Sequence, residues 1–335
     1  MMQQSLQSTD RGTPNSPRRF VSCLTAAFAA VSFGATAVQA EDMAVVVTIK
    51  PIHALVARVM GAVGEPKLLV GGTSSPHTYS LKPSDALALN RARLVFRISE
   101  DIEPFTRKIV AALPSSVKVV TLAEAPGVSL LEQRRGNTFE THHHAGEHHA
   151  GEGDHDHDHA EAKPVRDGHV WLDPNNGIAI VRHIARALKE AMPDQAATFD
   201  ANAAAAIAEI EAAAKEIDAE LASVKGRPFV VFHDAYQYFE ERFGVPAAGA
   251  ITISPDVQPS AKRLAEIRRK IKELNVRCVF AEPQFKSKLV TTVIEGTGAK
   301  AGTLDPEGAS VEAGPQAYIT LLKNLARGLT SCLGS

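Results

Sequence analysis

QAATFDANAAAAIAEIEAAAKEIDAELASVK, residues Gln195 to Lys225, contains neither Gly nor Pro and is dominated by alanine. Alanine costs least in a helix, and Ile207, Ile210, Ala214, Ile217 and Leu221 step by three and four, which makes one face apolar. Gly226 supplies the stop. At 1.5 Å per residue the stretch predicts one helix of about 45 Å, too long for a connector inside one compact lobe. It is expected to bridge two lobes. The alternative, an ordinary surface helix, leaves the lobes joined by something the sequence does not show.

On both sides of this helix, short β-branched runs alternate with helical patterns. AVVVTIKP (Ala44 to Pro51), PKLLVG (Pro66 to Gly71), RLVFRIS (Arg93 to Ser99) and SVKVVTL (Ser116 to Leu122) read as strands before it. PFVVFHD (Pro228 to Asp234), GAITIS (Gly249 to Ser254), VRCVFAEP (Val276 to Pro283) and AKAGTLDP (Ala299 to Pro306) read as strands after it. Among the latter lies an amphipathic helix, with Leu264, Ile267, Ile271 and Leu274 on one face and lysines and arginines on the other. The expected fold class is α/β, two lobes of βα type with central sheets joined by one long rigid α-helix. The expected division is 41–192 for the first lobe, 193–226 for the helix and 227–335 for the second lobe.

Residues 1–40 read as an export signal. Arg18 and Arg19 precede the apolar run Phe20 to Ala37, and Val38-Gln39-Ala40 places small residues where a signal peptidase reads them before Glu41. A membrane anchor fits less well, because the run is short and broken by Ser22, Ser32 and Gly34. A periplasmic location is expected. Removal of the signal removes Cys23 and leaves Cys278 and Cys332, and an even pair in an oxidising compartment suggests a disulfide rather than two free thiols. Closing a loop of that length contributes roughly 4 kcal/mol in the chain-entropy account. The formal charge of -2 at pH 7 shows no basic excess, which argues against nucleic acid or an anionic membrane as the main partner.

Between Thr141 and Ala162 stand eight of the chain's 13 histidines: His142, His143, His144, His148, His149, His155, His157 and His159. They are interleaved with carboxylates, and the surrounding loop, 138–164, holds too little apolar surface to offset its chain entropy. With an imidazole pKa of about 6.5, most of these rings offer lone pairs at neutral pH. Such a loop collects metal without selecting it, since affinity order alone favours copper or nickel at least as much as zinc. It is expected to be an accessory; a merely solubilising charged loop is the alternative.

Selection needs a rigid site. His77 in GGTSSPHTYSLKPSD follows the second strand, His169 in DGHVWLDP comes just after the histidine tract, His233 in PFVVFHDAYQYF lies at a strand's end, and Asp305 in GTLDP adds a carboxylate at the end of the last strand. In open α/β sheets ligands bind beyond the carboxyl ends of strands, which would put these residues in the cleft between the lobes. Three imidazoles with a carboxylate or a water form a tetrahedral set suited to Zn2+. Spacing alone does not establish that they meet. His53, at the start of a helix, and His183, beside Arg182 and near Arg186, are expected to be structural or solvated.

SPHTYSLKPSD, HVWLDP, FHDAYQYF, CVFAEPQF and GTLDP, in this order and with a His/Asp loop before HVWLDP, closely resemble the periplasmic zinc-binding component of ABC-type zinc uptake systems, the ZnuA-like family. The likeness runs from about Val45 to Cys332. It implies two βα-type lobes joined by one long helix, zinc held between them by His77, His169 and His233, delivery to an inner-membrane ABC permease, and a disulfide between Cys278 and Cys332; a monomer is expected. Manganese-carrying relatives have a carboxylate at the place of His233, so an imidazole there points to zinc. Some zinc-binding relatives carry a Glu immediately before the first histidine; here Pro76 stands in that place and cannot coordinate. Asp305 or a water is left as fourth ligand, with the acidic Glu282 near the cleft edge as a further candidate whose alternative role is to orient a ligand or to cap a helix.

Two rivals share these residues. A zinc hydrolase also uses three histidines and an open position, but no HExxH arrangement or other motif of covalent catalysis is present, so no enzyme is expected. A free-standing zinc buffer or chaperone differs only in its partner.

Overall fold

Val45, Val46, Val47 and Ile49 are buried and β-branched, and they form strand β1 (Val45–Ile49). A strand covered on both faces reads as an unbroken apolar run, as inside a parallel sheet. Its sheet has the order β2-β1-β3-β4, with β2 (Lys67–Val70), β3 (Leu94–Arg97) and β4 (Lys118–Thr121) all parallel to it. A second sheet repeats the plan as β6-β5-β7-β8, built from β5 (Phe229–His233), β6 (Gly249–Thr252), β7 (Cys278–Ala281) and β8 (Lys300–Thr303). The computed structural model describes residues 44–134, 165–286 and 288–335. The export signal read in 1–40 and the histidines of 142–159 lie outside the described residues.

Helices cross between the strands: α1 (Lys50–Met60), α2 (Pro83–Arg91) and α3 (Thr106–Ala111) in the first lobe, α6 (Gln237–Phe243), α7 (Ala261–Glu273) and α8 (Lys288–Ile294) in the second. Between them run α4 (Pro174–Ala191) and α5 (Ala196–Leu221). The start of α4 is fixed by Pro174 in its first turn and by the Asp173 carboxylate, which accepts from Asn175 N at 2.8 Å.

Helix α5 is the long helix expected between the lobes. Its 26 residues span about 39 Å, somewhat less than the 31-residue stretch allowed, because the chain leaves the helix after Leu221. Val224 N and Arg227 N then bond to carbonyls three residues back, and these tight turns bury Val224 before Gly226 takes its positive φ of 77°. Ile210, Ala214, Ile217 and Leu221 are buried as the periodicity requires, while Ile207 is only partly covered. Against α5 pack α1, α4 and α9 (Ala317–Leu333), and α9 also touches β8. Cys332 near the end of α9 is disulfide-bonded to Cys278 on β7, Cα to Cα 6.2 Å.

Strand β5 shows how the core is shared. Phe229 and Val231 face the large apolar core that continues through α5 and α9, whereas Val230 and Phe232 face a smaller one with Ile251, Ile267 and Ile271. Leu274 departs from the amphipathic pattern and is 45% exposed. The helix ends at Glu273, Asn275 turns left-handed at φ 48°, and Val276 enters the core instead.

Candidate metal centre

The C-terminal ends of both sheets meet around three imidazoles. His233 is the last residue of β5 and is 2% exposed. The parallel register that pairs Phe229 with Cys278 carries forward to set His233 level with Glu282, just beyond β7. There the carboxylate of Glu282 accepts from the ring Nδ1 at 2.7 and 2.8 Å and from the amide of His233 at 3.3 Å, and the buried Tyr236 hydroxyl donates to it at 3.1 Å. An acceptor at Nδ1 requires the proton there and leaves Nε2 as a lone pair. Glu282 is thus hydrogen-bonded to the His233 ring rather than part of the imidazole cluster. Burial beside that carboxylate, with Asp305 and Glu307 adding negative charge, drives the Tyr236 phenol well above its usual pKa and keeps it a donor.

His169 follows residues 135–164, whose two flanks are pinned together: Gln133 N donates to Val165 O and Asp167 N to Leu131 O, both at 3.0 Å. His77 comes from the loop after β2. Beyond it Asp85 accepts from Tyr79 Oη at 2.7 Å and Lys82 N at 3.0 Å, anchoring the loop to the start of α2.

The Nε2 atom of His169 lies 3.3 Å from Nε2 of His77 and 3.3 Å from Nε2 of His233. Ligand nitrogens 2.0–2.1 Å from a tetrahedral zinc stand roughly 3.3–3.4 Å from one another, so both edges fit that polyhedron. All three ring atoms lie within 4.8 Å of one another, and among the described residues no carboxylate belongs to this cluster. Burial and the facing rings of His169 and His233 push the His77 pKa well below the ordinary 6.5, which favours the neutral, lone-pair form. A groove of about 270 Å³ reaches His77 and His169 from outside, with Asp101 and Asp256 on its walls.

Asp305 is not brought to the cluster. Its Oδ1 accepts from Gln284 Nε2 and Ala309 N, both at 3.0 Å, and its Oδ2 from Ser310 N at 2.9 Å and Ser310 Oγ at 2.7 Å. The carboxylate folds its own loop. That loop is held to the start of α1 by the buried Lys50, whose Nζ donates to the carbonyls of Gly308, Ala309 and Val311 at 2.7, 3.1 and 2.9 Å. His53 and His183 lie outside the cluster, with His53 Nε2 2.9 Å from the carbonyl of Pro66.

Sequence reasoning did not pick out Asp167, Lys50 or Arg134. Asp167 Oδ1 lies 2.7 Å from Nδ1 of His169, and its signal is the short spacing D-x-H. Arg134 forks onto Asp234 and Glu240, a pairing across 100 residues that has no local signature.

Residues 45–332 match the family described as zinc-uptake complex component A, periplasmic. The chain belongs to that family. The high-affinity zinc uptake system protein ZnuA of Brucella abortus (strain 2308) is 46% identical over 325 residues, covering 92% of this chain and 97% of that one. A crystal structure of ZnuA superposes with a TM-score of 0.69 at 27% identity, covering 87% of this chain and 99% of that chain. A zinc-bound ZnuA deletion mutant gives a TM-score of 0.67 at 26% identity, covering 86% and 98%. The family resemblance read in the five sequence blocks is thus the family itself.

Proposed function

We propose that the protein is a zinc receptor that captures Zn2+ between its lobes and delivers it to an ABC-type zinc importer, with His77, His169 and His233 as the ligands. The observation that carries this reading is the convergence of three ring nitrogens within 4.8 Å, two of the edges being 3.3 Å, with no carboxylate in the set. Imidazole-only donors suit a borderline cation better than the harder Mg2+ or Mn2+. Both oxygens of Asp305 are engaged by its loop, and Glu282 is engaged by His233 and Tyr236, which leaves the fourth position to water. Zn2+ is cargo here, and the family is one of solute-binding receptors rather than enzymes, so the hydrolase reading falls.

Residues 1–40 direct export to the periplasm in this reading, the lobes divide at 41–192, 193–226 and 227–335, and the receptor works as a monomer that docks on the permease. The histidines of 142–159 raise the local supply of metal. No helix among the described residues is long and apolar enough to cross a membrane. Metal analysis of protein purified without added metal, repeated with His233→Ala, tests the site: one zinc per chain is expected, and its loss in the variant. A free-standing buffer is told apart by zinc-limited growth, which only a receptor makes dependent on the permease.

A further inference from the structure

Asp167 stands two residues before His169 and is 5% exposed. Its Oδ1 accepts twice from the same residue, from the His169 amide at 3.0 Å and from the ring Nδ1 at 2.7 Å. Its Oδ2 is buried with no hydrogen-bond partner among the described residues. A buried carboxylate with one oxygen unpaired is costly as a purely structural part. Facing an imidazole whose far nitrogen meets a divalent cation, the same charge gains a counterpart.

The turn that carries Asp167 is fixed from several directions. Tyr238 Oη donates to the Asp167 carbonyl at 2.7 Å and accepts from Leu131 N at 2.9 Å, while Asp167 N donates to Leu131 O at 3.0 Å. Between Asp167 and His169, Gly168 leaves no space for a side chain, since a Cβ there would fall 2.3 Å from Ile102 Cγ1. The carboxylate is therefore held still against the ring, and the ring cannot turn over without losing a short hydrogen bond.

We infer that Asp167 is a positioning residue that fixes the His169 ring as the Nδ1–H tautomer and aims its Nε2 at the metal; the inference rests on the zinc reading of the site. Glu282 holds His233 in the same way from the other sheet, so two of the three ligands are braced before the ion arrives. No described carboxylate hydrogen-bonds the ring of His77, whose ring nitrogen meets His169 instead. Binding then adds the unbraced His77 to a prepared pair.

The competing role is local: Asp167 as a turn former through the His169 amide alone. Asp167→Ser separates the two, because a hydroxyl can still cap that amide but is too short to reach Nδ1, and Asp167→Asn keeps an acceptor for both donors. Ring 15N spectra of the metal-free full-length protein report the tautomer, and competition titration with Zn2+ reports affinity. For Asp167→Ser and Asp167→Ala the expected result is a mixed His169 tautomer and a zinc affinity lower by about 10- to 100-fold, with Asp167→Asn restoring the Nδ1–H form and most of the affinity. An unchanged tautomer, or an affinity within about twofold of the parent in folded Asp167→Ser, overturns the assignment. Failure of the parent itself to bind zinc would count against the receptor reading instead, and the metal-free spectra would still decide the role of Asp167.

Discussion

Nε2 of His169 lies 3.3 Å from Nε2 of His233, while the Nδ1 atom of each ring is turned to a buried carboxylate, Asp167 for one and Glu282 for the other. Two nitrogens held lone pair to lone pair at that distance repel unless a cation or a proton lies between them. Zinc should therefore stabilise the fold by mass action, by about 4 kcal/mol at a free concentration a thousandfold above its Kd. Calorimetric melts with and without Zn2+ measure it. His169→Ala or His233→Ala should abolish the zinc-induced shift of the tight site, and a full shift surviving in either variant would place the ion elsewhere.

Zinc competes with protons for the three rings, so affinity rises with pH until they are neutral. For His77, burial and the two facing imidazoles lower the pKa well below 6.5. Its protonation should start to weaken zinc binding only at a pH lower than that of an ordinary histidine. Following the His77 ring by NMR between pH 8 and 5 in metal-free protein checks the sign. A midpoint at the ordinary value would show that water reaches the ring freely.

Glu103 has the opposite sense. The fully buried carboxyl accepts from Ile98 N at 2.8 Å, Ser99 N at 3.0 Å and the Thr48 hydroxyl, yet burial outweighs these contacts and raises its pKa from 4.5 to about 7. Between those values the folded state holds a proton that the unfolded chain has lost. Stability from this group is thus fully present below pH 4.5 and is lost as pH rises through 7, by about 3 kcal/mol in all. Urea unfolding across that window should show a negative slope with pH that Glu103→Gln flattens, and an equal slope in both proteins would refute it.

Most strands were legible because β-branched runs bounded by turn signals are a local property, β8 (KAGT) being the exception, and α5 because its alanines and spaced isoleucines are. His233 was legible at a strand's end, His77 beyond one and His169 just after the histidine tract, but their meeting point was not. It depends on the register of β5 against β7 and on how α5 and α9 set the sheets, neither of which leaves a mark near His77. Asp305 was a reasonable fourth ligand by position, beyond β8. Its loop could not be foreseen to fold back on it through Ala309 and Ser310, nor Lys50 to clasp that loop from the start of α1. Leu274 kept helical phase in the sequence and lost it to a left-handed Asn275.

Arg134 offers a prediction of a different kind, since it braces the residue next to a ligand. Its guanidinium reaches Asp234 Oδ1 at 2.6 Å and Oδ2 at 3.2 Å, and Glu240 Oε1 and Oε2 at 3.0 and 2.9 Å. Those carboxylates are only 1% and 4% exposed in their side chains. Removing the cation leaves the buried Glu240 carboxylate unpaired beside Asp234, whose pKa burial already raises to about 7 and which can then take up a proton, so Arg134→Ala should cost up to about 3–5 kcal/mol in urea unfolding. Arg134→Lys should recover only part, because an ammonium cannot make the two-pronged contact. Glu240→Gln added to Arg134→Ala should return more of the loss than Asp234→Asn, since burial already favours the protonated form of Asp234 and the penalty lies in the unpaired charge rather than in the missing bond. A loss below about 1 kcal/mol in Arg134→Ala would mean that water already screens the pair, as at an exposed ion pair.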